Sequence, residues 1–387
     1  MFEIVEVPSQ KAVIKVVGVG GCGGNAVDHM ISNGVKGVEF ICANTDMQAL
    51  KRTRASTQLQ LGTNITKGLG AGANPEVGRQ SALEDRDRIV ELITGTDMLF
   101  LTAGMGGGTG TGAAPVVAEI AREMGILTVA VVTKPFAFEG KRQRVAQEGL
   151  DALTQCVNSL IVVPNDKLMQ VLGNQVTLDE AFRAANDVLH GAVAGIAEII
   201  SCEGMINVDF ADVKTVMSET GVAMMGSAKA AGTDRARMAA EQAVACPLLE
   251  DIDIADARGV LVNISASKAL FQLQEMYDVM DVVKAFAAES ATVIAGTVYD
   301  ESLEDELRVT IVATGLNSRG AMRIQPKPLT VVMPATGTDG APSAPPNYDE
   351  LEQPAVMRRN RNQTVEAMRQ SGVEMLDIPA FLRKQAD

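Results

Sequence analysis

The sequence predicts an α/β protein in which a Rossmann-like domain with a parallel sheet is joined by a long central helix to a smaller α+β domain. Three observations lead to this prediction. Short apolar segments alternate with amphipathic helical segments through the first half of the chain, a pattern typical of parallel sheets with helices on both faces. One uninterrupted helical pattern follows, and the second half then differs in character. The 387 residues suffice for two such domains.

The first domain is predicted from apolar strands that end at glycine or polar residues, each followed by helical spacing. One helix opens with Pro75, a residue favoured at the first helical position. The predicted strands are 12–20, 38–44, 98–104, 126–133 and 159–164. The predicted helices are 23–33, 75–94, 111–124 and 139–156.

The central helix is predicted at residues 178–201, where no proline interrupts the pattern. At 1.5 Å per residue it spans roughly 35 Å, which suits a connector between domains. In the second half the predicted helices are 210–218, 233–245 and 269–289, and the predicted strands are 222–230, 258–266, 291–300 and 306–315. A short acidic turn separates the last two strands, so we expect them to form a hairpin.

The C-terminal part of the sequence loses this pattern. Residues 317–371 hold seven of the fourteen prolines and few large apolar residues, which predicts a disordered linker. Residues 376–387, LDIPAFLRKQAD, combine apolar and basic residues and suggest a docking peptide; a frayed end is the alternative. The predicted organisation is therefore 1–177, 178–202, 203–316, 317–371 and 372–387.

The composition argues against several classes of protein function. A net charge of −14 argues against direct nucleic-acid binding. No apolar run approaches the roughly 20 residues of a membrane span, and the start of the chain does not resemble a secretion signal. Five cysteines without C-x-x-C spacing suggest a reducing cytoplasm. Two histidines are too few for a His-based metal site or a Ser-His-Asp triad.

The first predicted strand runs into a glycine-rich turn at residues 18–25, GVGGCGGN. Glycines allow backbone N–H groups to approach phosphate oxygens, and the following helix adds the positive end of its dipole. G-x-G-x-x-G can be read from Gly18, and Asp46 follows the second strand. These two features also fit an NAD-dependent oxidoreductase, which remains an alternative at this point.

A second glycine-rich loop, at residues 104–112, also follows a strand and opens a helix. A dinucleotide fold needs one such turn, whereas two helix N-termini suit a polyphosphate; Thr109 and Thr111 can add hydroxyl hydrogen bonds. No G-x-x-x-x-G-K-[ST] motif is present, which excludes a Walker-type NTPase. A third glycine-rich loop at 68–75 either closes over a terminal phosphate or is a plain surface loop.

These motifs resemble the tubulin/FtsZ family. GGGTGTG is the signature of that family, and the strings GVGGCGGNAV, ANTD, GLGAGANPEVG, TKPFAFEG, VPNDKL and NVDFADV stand in its order. The resemblance covers residues 11–316 almost continuously and includes the C-terminal peptide. It implies a GTP-binding, GTP-hydrolysing protein that polymerises into filaments of the bacterial division ring.

The resemblance also implies a set of nucleotide-binding residues. The phosphate cradle would be Gly20, Gly21, Cys22, Gly23, Gly24, Asn25, Gly104, Gly106, Gly107, Gly108, Thr109, Gly110, Thr111 and Gly112. The residues near the terminal phosphate and Mg²⁺ would be Asn44, Thr45, Asp46, Ala71 and Gly72. The ribose site would be Thr133, Pro135 and Glu139, and the guanine pocket Asn165, Phe182 and Asn186. From the pattern alone, Phe182 reads as a core residue of the long helix.

Two positions depart from the family pattern. Cys22 stands where many relatives have glycine, and we expect its side chain to point away from phosphate. The stretch after Glu139 is one residue short, so the phosphate-contacting arginine maps onto Arg142, with Gln143 and Arg144 as alternatives.

The loop after the central helix contains Asn207, Asp209 and Asp212. The pattern alone predicts helix capping by Asp209, with Asp212 at the third helical position. The resemblance implies instead that this loop enters the nucleotide site of the next subunit. Asp209 and Asp212 would then polarise water or help hold a cation, while Asn207 would position the loop. A site divided in this way predicts head-to-tail filaments.

The resemblance completes the functional prediction. The ligands would be GTP and GDP, with Mg²⁺ held mainly by phosphates and water, and K⁺ as a further candidate ion. The partners would be further copies of the chain and, through the 376–387 peptide, membrane tethers and regulators such as FtsA, ZipA and MinC. The location would be the cytoplasm, at the midcell division ring, without direct membrane insertion. A nucleotide-sensing scaffold without catalysis is the remaining alternative.

Overall fold

The computed structural model describes residues 12–173, 176–202, 204–219, 221–246, 257–288 and 290–316, so the predicted linker and tail peptide lie outside the described residues. The strands are β1 (Ile14–Val19), β2 (Glu39–Asn44), β3 (Thr57–Gln60), β4 (Met98–Gly104), β5 (Leu127–Lys134), β6 (Ser159–Pro164), β7 (Gly221–Ala231), β8 (Gly259–Ala266), β9 (Thr292–Tyr299) and β10 (Glu306–Leu316). The helices are α1 (Gly20–Ser32), α2 (Met47–Leu50), α3 (Thr63–Thr66), α4 (Pro75–Glu84), α5 (Arg86–Ile93), α6 (Thr109–Glu123), α7 (Lys141–Thr154), α8 (Asn165–Leu172), α9 (Leu178–Ser201), α10 (Phe210–Met217), α11 (Arg235–Val244) and α12 (Leu273–Phe286). None of these helices is both long and apolar enough to cross a membrane.

The first six strands form the parallel half of the sheet in the order β3-β2-β1-β4-β5-β6. At its carboxyl end β1 pairs Val19 with Ala43 on one side and with Ala103 on the other. The chain order reverses between β1 and β4, and ligands of open parallel sheets bind outside the carboxyl ends of strands at such a point. The topology therefore brings the two strongest glycine-rich loops together.

Helices cover both faces of this parallel half, as the sequence predicts. Val16 and Phe100 pack with the core that α1 and α9 complete. Val17 and Leu101, one residue further along each strand, pack with the core that α6 completes. Because both faces are buried, these strands read as continuous apolar runs rather than as alternating ones.

The central helix has the predicted bounds. Thr177 and Glu180 form a capping box at its start, in which the Thr177 hydroxyl accepts from the Glu180 N–H and the Glu180 carboxylate accepts from the Thr177 N–H. This pairing satisfies two backbone donors that a helix start leaves open. Along its length α9 packs against β5 and β6 of the first half and β8 and β9 of the second.

The second half continues the same sheet in the order β7-β10-β8-β9, with β7 beside β6. The mixed α/β fold with a mostly parallel sheet is thus confirmed, but the predicted hairpin is wrong. β10 pairs antiparallel with β7 and β8, while β9 pairs parallel with β8 at the sheet edge. Nearly every residue of β10 is buried, whereas the first half of β9 is partly exposed. The more deeply buried strand, β10, thus lies inside the sheet, and β9 forms its edge.

Other differences are local. α1 begins at Gly20, inside the glycine-rich turn, rather than at residue 23. The predicted 75–94 helix is interrupted at Asp85, whose carboxylate accepts a hydrogen bond from the Gly62 N–H and pairs with Arg88. Four elements of eight residues or fewer are not predicted from the sequence, namely β3, α2, α3 and α8.

Candidate functional site

The turn after β1 and the start of α6 touch each other at the sheet edge. Gly20 has a φ of +75°, and a Cβ there would lie 2.9 Å from the Gly110 nitrogen. A Cβ on Gly110 would lie 2.6 Å from the Gly104 carbonyl oxygen. Glycine at these positions is therefore required by the close approach of two backbones. The approach places the N-termini of α1 and α6 side by side, and both favour an anion.

The second loop is held in shape by its own residues. Gly106 has a φ of +98°, and its N–H donates to the buried Thr111 hydroxyl at 2.8 Å. Thr45 and Thr109 share a hydrogen bond of 2.6 Å between their hydroxyl oxygens. Thr111 and Thr45 therefore hold the glycine-rich loop in place through hydrogen bonds and do not line the cleft themselves.

The third loop, at 68–75, leans on the second. A Cβ on Gly108 would overlap the Gly72 carbonyl oxygen and crowd Ala71. The loop is tied to the turn after β2, because the Met47 N–H donates to the Gly68 carbonyl and Asp46 bridges to Leu69. It is thus a wall of the cleft rather than a plain surface loop.

The turn after β2 is ordered by its polar side chains. The Asn44 amide oxygen accepts from the Asp46 N–H at 3.2 Å. The Asp46 carboxylate caps α2 by accepting from the N–H groups of Gln48 and Ala49. Asn44 and Asp46 both line the cleft, so their polar atoms lie beside the glycine loops.

A carboxylate stands where the predicted sugar site should be. Glu139 accepts a hydrogen bond from the Phe136 N–H at 3.0 Å through one oxygen and from Arg142 at 2.8 Å through the other. Its side chain is largely buried, whereas that of Arg142 is 60% exposed. Thr133 and Pro135 complete this part of the lining.

The three candidate positions for the phosphate-contacting arginine differ in whether they line the cleft. Arg142 lines the cleft. Arg144 projects from the outer face of α7, where it pairs with Glu148 and is 88% exposed. Gln143 is not part of the lining. Of the three, Arg142 is the one placed to meet a ligand.

Asn165, Phe182 and Asn186 meet at the far end of the cleft. Asn165 is 4% exposed, and its Oδ1 atom has no hydrogen-bond partner among the described residues. A buried acceptor of this kind costs free energy unless a ligand or water supplies a donor. Phe182 is 43% exposed and touches Phe136 edge to face. It is therefore not a core residue of α9.

Together these residues line a cleft of about 580 Å³. Of the predicted nucleotide-binding residues, five do not line it: Gly23, Gly24, Thr45, Thr111 and Gly112. Gly24 faces a neighbouring pocket, and a Cβ on Gly23 would lie 2.5 Å from the Thr102 carbonyl oxygen. Six lining residues are not predicted from the sequence: Val19, Ala49, Leu69, Gly70, Met105 and Ala185. Apart from Gly70 within a glycine-rich loop, these residues carry no chemical signal.

The side chain of Cys22 lines the cleft and lies 3.7 Å from the Thr133 hydroxyl. Cys22 is exposed to the open cleft, but the many atoms around it desolvate the thiol and raise its pKa; the hydrogen bond with Thr133 opposes the rise, and the Glu139 carboxylate adds to it. A thiol with a raised pKa stays protonated at neutral pH and is a poor nucleophile. Cys22 therefore acts here as a small wall residue.

Asn207, Asp209 and Asp212 are not part of the cleft lining. The Asn207 amide oxygen accepts from the Gly204 N–H at 2.9 Å, which folds the loop. Asp209 caps α10 by accepting from the Asp212 N–H at 2.8 Å, as the pattern predicts. Among the described residues, the Asp212 carboxylate forms no hydrogen bond or ion pair with another side chain, and the residue is exposed.

Comparisons with known proteins agree with this geometry. A sequence profile for the GTPase domain of the Tubulin/FtsZ family matches residues 13–173, and one for the C-terminal domain of the FtsZ family matches residues 221–317. Two relatives named cell division protein FtsZ, from Pseudomonas aeruginosa and Coxiella burnetii, are 57% and 58% identical over 100% and 99% of each chain. A solved structure of FtsZ from M. jannaschii, described as an empty dimer, is 44% identical with a TM-score of 0.76 and covers 80% of this chain and 89% of its own. The chain belongs to the FtsZ family and is a tubulin-like GTPase of bacterial cell division.

Proposed function

We propose that GTP lies in the 580 Å³ cleft with its phosphates on the first two glycine-rich loops. The observation that carries this proposal is the close approach of Gly20, Gly104 and Gly110, which leaves no room for a Cβ on any of the three. Backbone N–H groups at two helix starts then face the phosphates. The third loop, through Ala71 and Gly72, covers the terminal phosphate.

The proposed positions of the guanine base and the ribose are inferred from the polar groups at the other end of the cleft. The free Oδ1 atom of Asn165 would accept from a guanine N–H, and the exposed ring of Phe182 would cover the face of the base. Asn186 would read the same polar edge. The Glu139 carboxylate would accept hydrogen bonds from ribose hydroxyls.

Mg²⁺ would be held mainly by phosphate oxygens and water, with the cleft-lining Asn44 and Asp46 beside it. Phosphoryl transfer needs positioning and charge stabilisation, which a hydrated Mg²⁺ supplies at the phosphates. K⁺ is a further candidate ion near the 207–212 loop.

We propose that Asp209 and Asp212 act on the GTP of the next subunit in a head-to-tail filament. Supporting this, exposed apolar side chains surround both ends of such a contact. Leu69 and Phe138, 83% and 74% exposed, lie on loops that border the cleft. The second set is Met205 and Ile206, which directly precede the 207–212 loop. Apolar surface of this kind marks protein–protein interfaces.

The 376–387 peptide would dock membrane tethers and regulators such as FtsA, ZipA and MinC. Its apolar and basic residues support this assignment. The protein would then work in the cytoplasm at the midcell ring, where tethers connect it to the membrane.

A direct test mixes the protein with GTP, ATP or NAD and follows light scattering and phosphate release. Both signals are expected with GTP alone. Phosphate release without scattering would contradict catalysis between subunits, and equal responses to ATP would contradict the guanine pocket.

Arg142→Ala is expected to raise KM for GTP roughly tenfold, because it removes a charged donor from the cleft wall. Arg144→Ala is the matched control, since its exposed pair with Glu148 contributes little. Steady-state phosphate release measures both. Equal KM values for the two variants would show that Arg142 does not contact the nucleotide.

Removal of residues 376–387 is expected to leave GTP-driven sedimentation unchanged and to abolish binding to a tail-dependent tether. The reason is that the cleft and the 207–212 loop lie wholly within the preceding residues. Sedimentation and pull-down of a purified tether measure the two effects. Loss of sedimentation in the truncated protein would contradict the separation of roles.

A further inference from the structure

Both histidines of the chain lie together where α1 packs against α9. Their rings meet edge to face, with centroids 6.2 Å apart. His29 on α1 also contacts Asp187 on α9, and its Nε2 atom lies 2.7 Å from the carboxylate Oδ1. This contact joins the two helices that border the nucleotide cleft.

Each helix carries a different end of the candidate site. Asn25, one turn before His29 on α1, lines the cleft beside the phosphate loop. Asn186, the residue before Asp187 on α9, lines the base pocket. Within the described residues, no other side-chain hydrogen bond or ion pair joins α1 to α9. The rest of the contact between α1 and α9 is mainly apolar packing. Such packing fixes the position of one helix along the other less precisely than a hydrogen bond does.

We propose that His29 is a positioning residue for the nucleotide: through Asp187 it sets the distance between the phosphate loop on α1 and the base pocket on α9. This inference rests on the proposed placement of GTP in the cleft. One ligand must reach both ends at once, so a small slide of α9 along α1 weakens binding even when every contacting residue is intact.

His190 makes this link sensitive to acid. The charged groups that face it are His29 on α1, Asp187 on its own helix, Arg308 on β10 and Lys229 on β7. Burial lowers the pKa of His190; His29, Arg308 and Lys229 add to this lowering, and Asp187 opposes it. The two cations are themselves paired with the acidic side chains Glu198, Asp300 and Glu306.

The direction of the pH effect follows from the lowered pKa. The folded state prefers neutral His190, so the stability it contributes is present above the unfolded pKa of about 6.5. That contribution is lost as the pH falls through the lower folded-state pKa. A proton on His190 also places a positive charge beside the His29 ring and competes for Asp187, which loosens the link between α1 and α9.

The test measures the affinity of a fluorescent GDP analogue without Mg²⁺, so that assembly does not contribute. His29→Ala and Asp187→Asn are each expected to raise Kd roughly two- to fivefold, the range of one partly exposed hydrogen bond. The double variant should lose no more than one single variant, because both remove the same interaction. His29→Gln can donate to the same carboxylate and should recover most of the affinity.

Asp179→Asn is the matched control, since Asp179 is an exposed carboxylate on α9 paired only with Arg183. Its affinity should equal that of the parent. GTPase assays should show the His29 effect in KM with kcat unchanged. Independent, multiplying losses in the double variant would overturn the inference, as would parental affinity in His29→Ala. Absence of binding by the parent protein would instead reject the proposed nucleotide site.

The pH arm compares the parent with His190→Gln. Nucleotide affinity of the parent should fall as the pH drops from 7.5 to about 5.5, and that of His190→Gln should change less. Melting temperatures at each pH separate this effect from unfolding. Identical pH profiles of the two proteins would remove His190 from the account.

Discussion

Asp212→Ala is expected to bind GTP as the parent chain does and to lose GTP turnover by roughly a hundredfold or more, the usual effect of removing a group that activates water. The affinity is retained because Asp212 is not part of the cleft lining. Turnover is lost because no residue of the cleft itself offers a free carboxylate at the phosphate end. Asp46 caps α2, and Glu139 pairs with Arg142.

The geometry of the loop allows a clean variant. The cap on α10 uses the Asp209 carboxylate and the Asp212 backbone N–H, so Asp212→Asn and Asp212→Ala both leave it in place. Calorimetry with GDP measures binding, and phosphate release in sedimenting samples measures turnover. Asp234→Ala, at another helix start and without a capping hydrogen bond, is the control. Turnover at the parental rate in Asp212→Ala would sink the assignment.

Gly106→Ser is expected to weaken GTP binding by roughly a hundredfold. Gly106 has a φ of +98°, and a Cβ there would lie 2.8 Å from the Arg142 carbonyl oxygen and 3.1 Å from the Pro135 ring. The side chain would therefore displace the loop against the sugar side of the cleft. Backbone strain of this kind costs about 1–3 kcal/mol, and the overlap adds to it.

The variant Gly34→Ala separates the effect of backbone strain from the effect of displacing the second glycine-rich loop. Gly34 has a similar φ of +71°, but a Cβ there meets nothing within 4 Å. This variant should lose stability in thermal unfolding and keep its affinity for GTP. Calorimetry of both variants gives the comparison. Unchanged affinity in Gly106→Ser would mean that the second loop tolerates displacement and does not hold the phosphates.

Much of the fold could be predicted because local pattern and tertiary burial agree. The apolar runs of β1 and β4 are buried on both faces, and α9 has a capping box at the predicted start. The hairpin could not be predicted, because strand adjacency depends on which strand buries more surface. In the structure β10 lies between β7 and β8, and β9 is at the edge.

The candidate site likewise has one part that could be predicted from the sequence and one part that could not. A glycine-rich loop indicates that two backbones approach each other closely. The phosphate cradle could therefore be predicted from the composition and spacing of these loops alone. The base pocket is not, since Phe182 and Asn165 are ordinary residues until β6 and α9 bring them together. Leu69 and Ala185 carry no chemical signal and enter the lining only through the fold. Thr111 and Gly112 were predicted as contacts but lie behind the cradle as packing residues.

The most direct test of catalysis between subunits is a mixing experiment with Asp212→Ala and Gly106→Ser. The first variant keeps the cleft and lacks the carboxylate; the second keeps the carboxylate and lacks the cleft. Each alone should release little phosphate. In an equal mixture, about a quarter of head-to-tail contacts join an intact cleft to an intact loop, so GTP turnover should rise well above either variant alone, with both chains in the sedimented polymer. Turnover no higher than the sum of the separate variants, in polymer that contains both, would contradict the account.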